Sequence, residues 1–140
     1  MHRAVPMLAY EDVAAAVEWL GEALGFVERE RYAEADGRVT QAILELDGAV
    51  VMLGWPGPEY RSPLNHALEC EQARKWTRVP YVIDGALVYV DDVDAAYDRA
   101  RAAGAVILSR PEDQPHGRIC RIQDLEGHRW MLFSPADGFS

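Results

Sequence analysis

The sequence is poor in cysteine and in basic residues, and it lacks a long apolar run. Its two cysteines, Cys70 and Cys120, lie outside any CxxC pair, and no secretory apolar segment opens the chain. A reduced, cytoplasmic protein is therefore expected rather than a disulfide scaffold. No stretch approaches the ~20 apolar residues of a membrane span. The formal net charge of −9 argues against nucleic acid and anionic membranes as partners, since both require basic patches.

Several catalytic motifs are also missing. The four histidines form no HxH or HxxxH pair, so a metal site built from histidines alone is not expected. No Ser-His-Asp order, phosphate-binding glycine loop or dinucleotide fingerprint is present. These absences exclude the common nucleotide-dependent and serine-hydrolase classes as first hypotheses.

What the sequence does contain is an internal repeat. Residues 11–16 (EDVAAA) match 91–96 (DDVDAA), and the Asp-Gly turn with its following strand, 47–53, matches 126–132. The blocks occur in the same order at nearly the same spacing. They predict two similar units of about 50 residues, with a ligand site between them.

Each unit is predicted to run strand, helix and three strands. Hydrophobic spacing and turn residues place the helices and strands. The predicted helices are 13–24 and 93–103, and the predicted strands are 3–10, 26–32, 39–46, 49–55, 86–90, 106–109, 118–123 and 128–133. The modules cover about 3–55 and 86–134 within one domain of residues 1–140. The connector 56–85, with a helical piece at 63–76, packs as a lid or arm or is a plain surface excursion.

The paired units resemble the vicinal oxygen chelate superfamily, which includes glyoxalase I, extradiol dioxygenases, fosfomycin-resistance enzymes and bleomycin-resistance binding proteins. The motifs VDDVDA (90–95), AAGA (102–105), DLEGHRW (124–130) and LGF (24–26) are similar to its signatures. The resemblance implies an α+β fold in which two tandem βαβββ modules form a curved, cleft-enclosing mixed β-sheet with the helices outside. It also implies a homodimer. It does not by itself define an activity.

The resemblance further implies four metal-ligand positions, one on the first and one on the fourth strand of each module. In this sequence they fall on Val5, Met52, Gly85 and Met131. None supplies the imidazole or carboxylate that hard or borderline divalent ions require. The sequence therefore predicts no metal and no other cofactor.

Strand alternation predicts a cleft with apolar, aromatic and sulfur-containing walls and a few polar groups, a composition typical of small-molecule pockets. The predicted ligand-binding residues are Met52, Trp55, Leu87, Tyr89, His116, Arg118, Arg129, Met131 and Phe133. Two alternatives stay open: these side chains fill the interior of the sheet, and the arginines pair with nearby acids.

The first functional hypothesis is a metal-free binding protein, similar to the bleomycin-resistance branch, that sequesters an unidentified aromatic or cationic small molecule. The alternative is a lyase, isomerase or dioxygenase-like enzyme with a displaced metal site or acid–base catalysis by His116, Arg121 or Glu45. A third possibility is a domain with a vestigial pocket whose dimer surface is its function. Whether the cleft forms within one chain or across two is left open.

Overall fold

The computed structural model describes residues 2–79 and 84–137, which form two four-stranded sheets with the two longest helices on one side. The elements are β1 (Met7–Ala9), α1 (Val13–Leu24), β2 (Val27–Ala33), β3 (Val39–Leu46), β4 (Ala49–Gly54), α2 (Pro63–Glu69), α3 (Glu71–Trp76), β5 (Gly85–Tyr89), α4 (Val93–Ala102), β6 (Val106–Gln114), β7 (Gly117–Gln123) and β8 (Arg129–Pro135). The first sheet has the order β1-β4-β3-β2 and the second β5-β8-β7-β6. The predicted pair of βαβββ modules is confirmed.

The two long helices begin in the same way. Asp12 and Asp92 each lie at an N-cap, where the carboxylate accepts a hydrogen bond from the backbone three residues on. Gly25 ends α1 in the left-handed conformation, with φ 87°. These local signals explain why the predicted bounds of α1 are confirmed.

Both helices cover the same side of the molecule and enclose one core. Alternate residues of β4 and β8 point toward them, so Leu53 and Leu132 are fully buried. The helices also contact each other, since Trp19 Nε1 donates to the carbonyl of Ala103 at 2.8 Å. The core spans both modules and fixes their relative position.

The opposite side of each sheet carries no helix of its own module, and we call these surfaces the open faces. On the first sheet, Met7 lies beside Met52, and Met52 lies beside Ile43. On the second sheet the order is Leu87, Met131 and Arg121. The open faces comprise Met7, Ala9, Gln41, Ile43, Glu45, Val50, Met52 and Gly54 on the first sheet, and Gly85, Leu87, Tyr89, Ile119, Arg121, Gln123, Arg129, Met131 and Phe133 on the second.

The connector packs against the second module, in agreement with the lid-or-arm alternative. Leu64 N donates to the carbonyl of Glu126 at 3.0 Å, which attaches the start of α2. Arg129 donates to the carbonyls of Thr77 at 2.5 Å and Val79 at 3.0 Å, which attaches the segment after α3. The described part of the connector therefore lies over one end of the second open face, and among the described residues the Tyr89 end is left uncovered.

A buried polar cluster holds the modules and the connector together. The Asp124 carboxylate accepts hydrogen bonds from Tyr10 Oη at 2.6 Å and Trp130 Nε1 at 3.0 Å. The Glu126 carboxylate accepts from the backbone N–H groups of Glu11 and Asp12 at the start of α1. Buried charges need such partners, so these contacts join the last turn of the second module to the first helix.

Some predicted bounds were wrong. β1 covers only 7–9 instead of 3–10. β6 runs to Gln114 instead of ending at 109. It is an edge strand, where a proline such as Pro111 is tolerated because its missing N–H can face away from the neighbouring strand. The register between β6 and β7 is irregular between Ser109 and Glu112, where Pro111 lies. The helical piece 63–76 is divided in two at Cys70. Within the described residues, no helix is both long enough and apolar enough to span a bilayer.

Candidate functional site

The uncovered end of the second open face carries three neighbouring rings. Phe133 lies at the centre, 5.6 Å between ring centroids from Tyr89 and 5.4 Å from His116. Phe133 is 6% exposed, whereas Tyr89 is 57% exposed. We call Tyr89, His116 and Phe133 the aromatic cluster. The exposed Tyr89 ring and its edge-on contact with Phe133 suit the binding of another ring.

The aromatic cluster depends on a glycine in the neighbouring strand. A Cβ on Gly117 would lie 2.6 Å from atoms of the Phe133 ring and 2.4 Å from the carbonyl oxygen of Ser134. Only a residue without a side chain leaves room for the ring. The turn at 115–116 and Gly117 thus place His116 against Phe133.

Next to the aromatic cluster, a row of cross-strand neighbours on the same face adds a thioether and hydrogen-bond donors. Met131 lies between Leu87 on β5 and Arg121 on β7, and Arg121 lies opposite Ser109 on β6. Among the described residues, Arg121 Nε and Ser109 Oγ are buried without a hydrogen-bond partner. Arg121 Nη1 forms an ion pair with Glu112 Oε1 at 3.8 Å, which leaves Nε unused. A ligand oxygen near this row would find donors that the chain leaves unused.

Arg129 lies at the far end of the second open face, under the connector. Two of its hydrogen bonds are donated to the carbonyls of Thr77 and Val79. Burial lowers the pKa of its guanidinium below the ordinary value. Its observed contacts position the connector rather than the aromatic cluster.

Two of the predicted ligand residues lie on the helix side of the sheets. Trp55 follows Val51 by four residues, so alternation directs both side chains to the same side of the sheet, and Trp55 packs against the core. The Arg38 guanidinium lies 4.3 Å from the centroid of its ring. Arg118 is bound by Asp94 of α4 and by Asp113, both at 2.9 Å, and these hydrogen bonds raise the pKa of its guanidinium. Local acids thus occupy Arg118, as one of the alternatives predicted.

The first open face contributes Met52 and an acid that is already paired. The Glu45 carboxylate accepts two hydrogen bonds from Arg29, the shorter at 2.6 Å. These bonds hold the pKa of Glu45 below its ordinary value, which makes it a poor proton acceptor near neutral pH. Of the three acid–base candidates, His116 lies in the aromatic cluster and Arg121 lies in the adjacent row.

The four metal positions of the fold do not fit a divalent ion. Val5, Met52 and Met131 offer no imidazole or carboxylate. A Cβ on Gly85 would already lie 3.2 Å from the carbonyl of Arg129, so a longer side chain there would be crowded. Among residues 2–79 and 84–137, no three His, Cys, Asp or Glu side chains are grouped for metal binding.

Two further groups, His128 and Cys120, lie outside the candidate site. His128 Nε2 lies 2.5 Å from the carbonyl oxygen of Ala9, and its ring is 4.6 Å from that of Tyr10. Cys120 is buried, and burial raises the pKa of its thiol to about 11, which makes it inert as a nucleophile. Neither group belongs to the open faces.

The structure therefore brings together five of the nine predicted ligand residues: Leu87, Tyr89, His116, Met131 and Phe133. Arg129 lies on the same face at the covered end, and Met52 lies on the other sheet. Sequence reasoning missed Ser109 and Met7. The repeat spacing could have found Met7, since it corresponds to Leu87; Ser109 follows only from the strand register.

The chain belongs to the Glyoxalase/Bleomycin resistance protein/Dioxygenase superfamily, whose family model matches residues 2–132. An uncharacterised protein of Mycobacterium tuberculosis is 31% identical over an alignment of 135 residues, which covers 93% of this chain and 72% of the relative. TioX from Micromonospora sp. ML1 is 31% identical with a TM-score of 0.72, over 97% of this chain and 100% of TioX. TnmS3, described as an antibiotic binding protein from Streptomyces sp. CB03234, is 22% identical with a TM-score of 0.62, over 96% and 98% of the two chains.

Proposed function

We propose that this protein binds an aromatic small molecule on its open faces without using a metal ion. The observation that carries the proposal is the aromatic cluster beside Met131, where the fold otherwise places a metal ligand. Rings and thioethers attract planar apolar ligands, and the exposed Tyr89 ring is available for stacking. The same fold in TnmS3, a protein described as antibiotic binding, supports a sequestering role.

The charges of the second open face favour a ligand with oxygen acceptors over a cation. Within the described residues its basic side chains are Arg121 and Arg129, and its one acid is Glu112 of β6, which lies opposite Ile119 and pairs with Arg121 at 3.8 Å. Guanidinium groups repel cations and suit carbonyl, phenolate or carboxylate oxygens. In place of the aromatic or cationic ligand of the first functional hypothesis, we therefore propose an aromatic ligand that carries oxygen atoms, such as a phenol or quinone.

We also propose that a second copy of the chain covers part of the open faces. Met7 is 69% and Leu87 is 44% exposed. Both residues lie on edge strands, β1 of the first sheet and β5 of the second. Exposed apolar residues at such edges are typical of protein or ligand interfaces, and an isologous pair is the commonest assembly. The cytoplasm remains the expected location.

The experiment is a thermal-shift screen with hydroxylated naphthoquinones and anthraquinones, using wild type, Tyr89→Ala and Leu68→Ala. At a free concentration of about 100 times its Kd, a ligand stabilises the native state by about 2.7 kcal/mol, which corresponds to a Tm rise of roughly 5–10 °C. We expect the shift in wild type and in Leu68→Ala, whose altered side chain lies on the connector, and a much smaller shift in Tyr89→Ala.

Three outcomes would contradict the proposal. The first is the absence of any shift across the quinone series, and the second is an equal shift in Tyr89→Ala. The third is near-stoichiometric Zn, Ni, Mn or Fe in protein purified without a histidine tag, which would favour the enzyme alternative.

A further inference from the structure

We propose that the connector forms a second ligand site, which binds a short-chain apolar carboxylate with Arg74 holding the acid group. This site is a cavity of about 280 Å³ between α2, the end of α3 and the strands β6 and β7. It shares no lining residue with the aromatic cluster. The inference is therefore independent of the proposed function.

The walls of the connector cavity are aliphatic. Leu64 and Leu68 lie four residues apart on α2 and share one helix face, with Ala67 beside them. Leu108 of β6 completes the wall. The three leucines are 41%, 71% and 40% exposed, so an alkyl chain placed among them would remove apolar surface from water. The volume lies at the small end for ligand pockets, which suits a short chain.

Arg74 is the charged residue that lines the cavity. Its Nε donates to the carbonyl of Ala67 at 3.2 Å, which fixes the side chain at the cavity. Among the described residues it makes no ion pair. The two acids that precede it most closely in the connector are paired elsewhere, Glu71 with Lys75 at 4.0 Å and Glu69 with Arg61 at 3.4 Å. The planar guanidinium thus keeps donors for a carboxylate.

The polar lining agrees with a single acid group on an otherwise aliphatic ligand. Thr77 and Gln123 supply the other polar side chains, and no carboxylate of the described residues lines the cavity. The described lining also contains no aromatic ring, which separates its ligand chemistry from that of the aromatic cluster. In a chain of net charge −9, an unpaired arginine at an aliphatic cavity is a specific attraction for an anion.

The test is a titration of 15N-labelled protein with sodium octanoate, sodium hexanoate and octanol. We expect octanoate to shift the amide signals of Leu64, Leu68 and Leu108, and hexanoate to bind more weakly by up to about fourfold per missing methylene. Arg74→Gln should weaken octanoate binding about tenfold or more, because a hydrogen bond to a charged group is lost, and leave octanol binding unchanged. Arg78→Gln is the matched control, and Tyr89→Ala should have no effect.

Three results would overturn the inference: no octanoate binding, equal octanoate affinity in Arg74→Gln, or shifts confined to Met131 and Phe133. If Arg74→Gln no longer binds either octanoate or octanol, the binding of both compounds to Arg74→Lys tests the inference instead. A lysine that restores the preference for octanoate over octanol supports the site, and one that does not overturns it.

Discussion

At the scale of single residues, Gly117 determines the shape of the aromatic cluster. Gly117→Ala places a Cβ against both the Phe133 ring and the carbonyl of Ser134, and the latter is backbone that cannot rotate away. We expect a loss of about 1–3 kcal/mol in the free energy of unfolding, as for other overpacked sites. Urea unfolding measures the loss, and near-UV circular dichroism reports the displaced ring.

The control for this substitution is Gly54→Ala, which lies in an equally regular strand of the first sheet. No atom lies within 4 Å of a Cβ built there. Its stability should stay within about 0.5 kcal/mol of wild type. Equal stabilities of the two variants would show that Phe133 repacks without cost and that Gly117 does not shape the site.

At the scale of elements, the start of α2 is held by one carboxylate of the first module. Glu11 accepts hydrogen bonds from Ser62 N at 2.9 Å and from Asn65 Nδ2 at 2.6 Å. The bonds from Ser62 are the main cause of a pKa of Glu11 below its ordinary value of 4.5. The ionised form is therefore the one that stabilises the attached connector.

Glu11→Gln should lower the free energy of unfolding by about 1 kcal/mol at neutral pH. Since the folded pKa is depressed, the contribution of Glu11 is complete above its unfolded pKa and is lost as the pH falls through the folded value. The difference between wild type and Glu11→Gln should thus shrink at about pH 3. Urea unfolding at both pH values measures it, with the exposed Glu18→Gln as control. A difference that persists in acid would assign the loss to packing.

Elements with local signals were predictable, and those that depend on neighbours were not. α1 follows from Asp12, its apolar spacing and Gly25, all within the helix and its caps. The length of β6 depends on its edge position, which permits Pro111, and no local pattern reveals an edge. The attachment of the connector rests on contacts such as that between Glu11 and Asn65, which are 54 residues apart.

At the scale of the whole molecule, the repeat predicted which faces are alike but not what covers them. Alternation within β8 placed Met131 and Phe133 together, and the strand register confirms that they share a face. Trp55 was predicted to bind ligand without regard to this alternation, which places it with Val51 on the core side, where the structure has it. Arg118 was misplaced because its partner Asp94 belongs to a helix 24 residues away.

The open faces lead to a test of assembly. Met7 is the most exposed large apolar side chain on them, and Met7→Lys would place a charge in any interface that covers the first sheet. We expect wild type to sediment as a dimer and Met7→Lys as a monomer with near-wild-type unfolding, since the residue is outside the core. Leu68→Lys, equally exposed but on the connector, is the control. A monomeric wild type at about 100 μM would refute the dimer.

The same variant decides where the proposed ligand site is completed. If the site is built across two chains, monomeric Met7→Lys should lose the quinone-induced Tm shift, because the partner's sheet is gone. If one chain suffices, the shift should survive in the monomer, since Tyr89 and Phe133 are unchanged and lie on the other sheet. A dimeric Met7→Lys that binds normally would place the interface elsewhere and leave the first open face to the ligand.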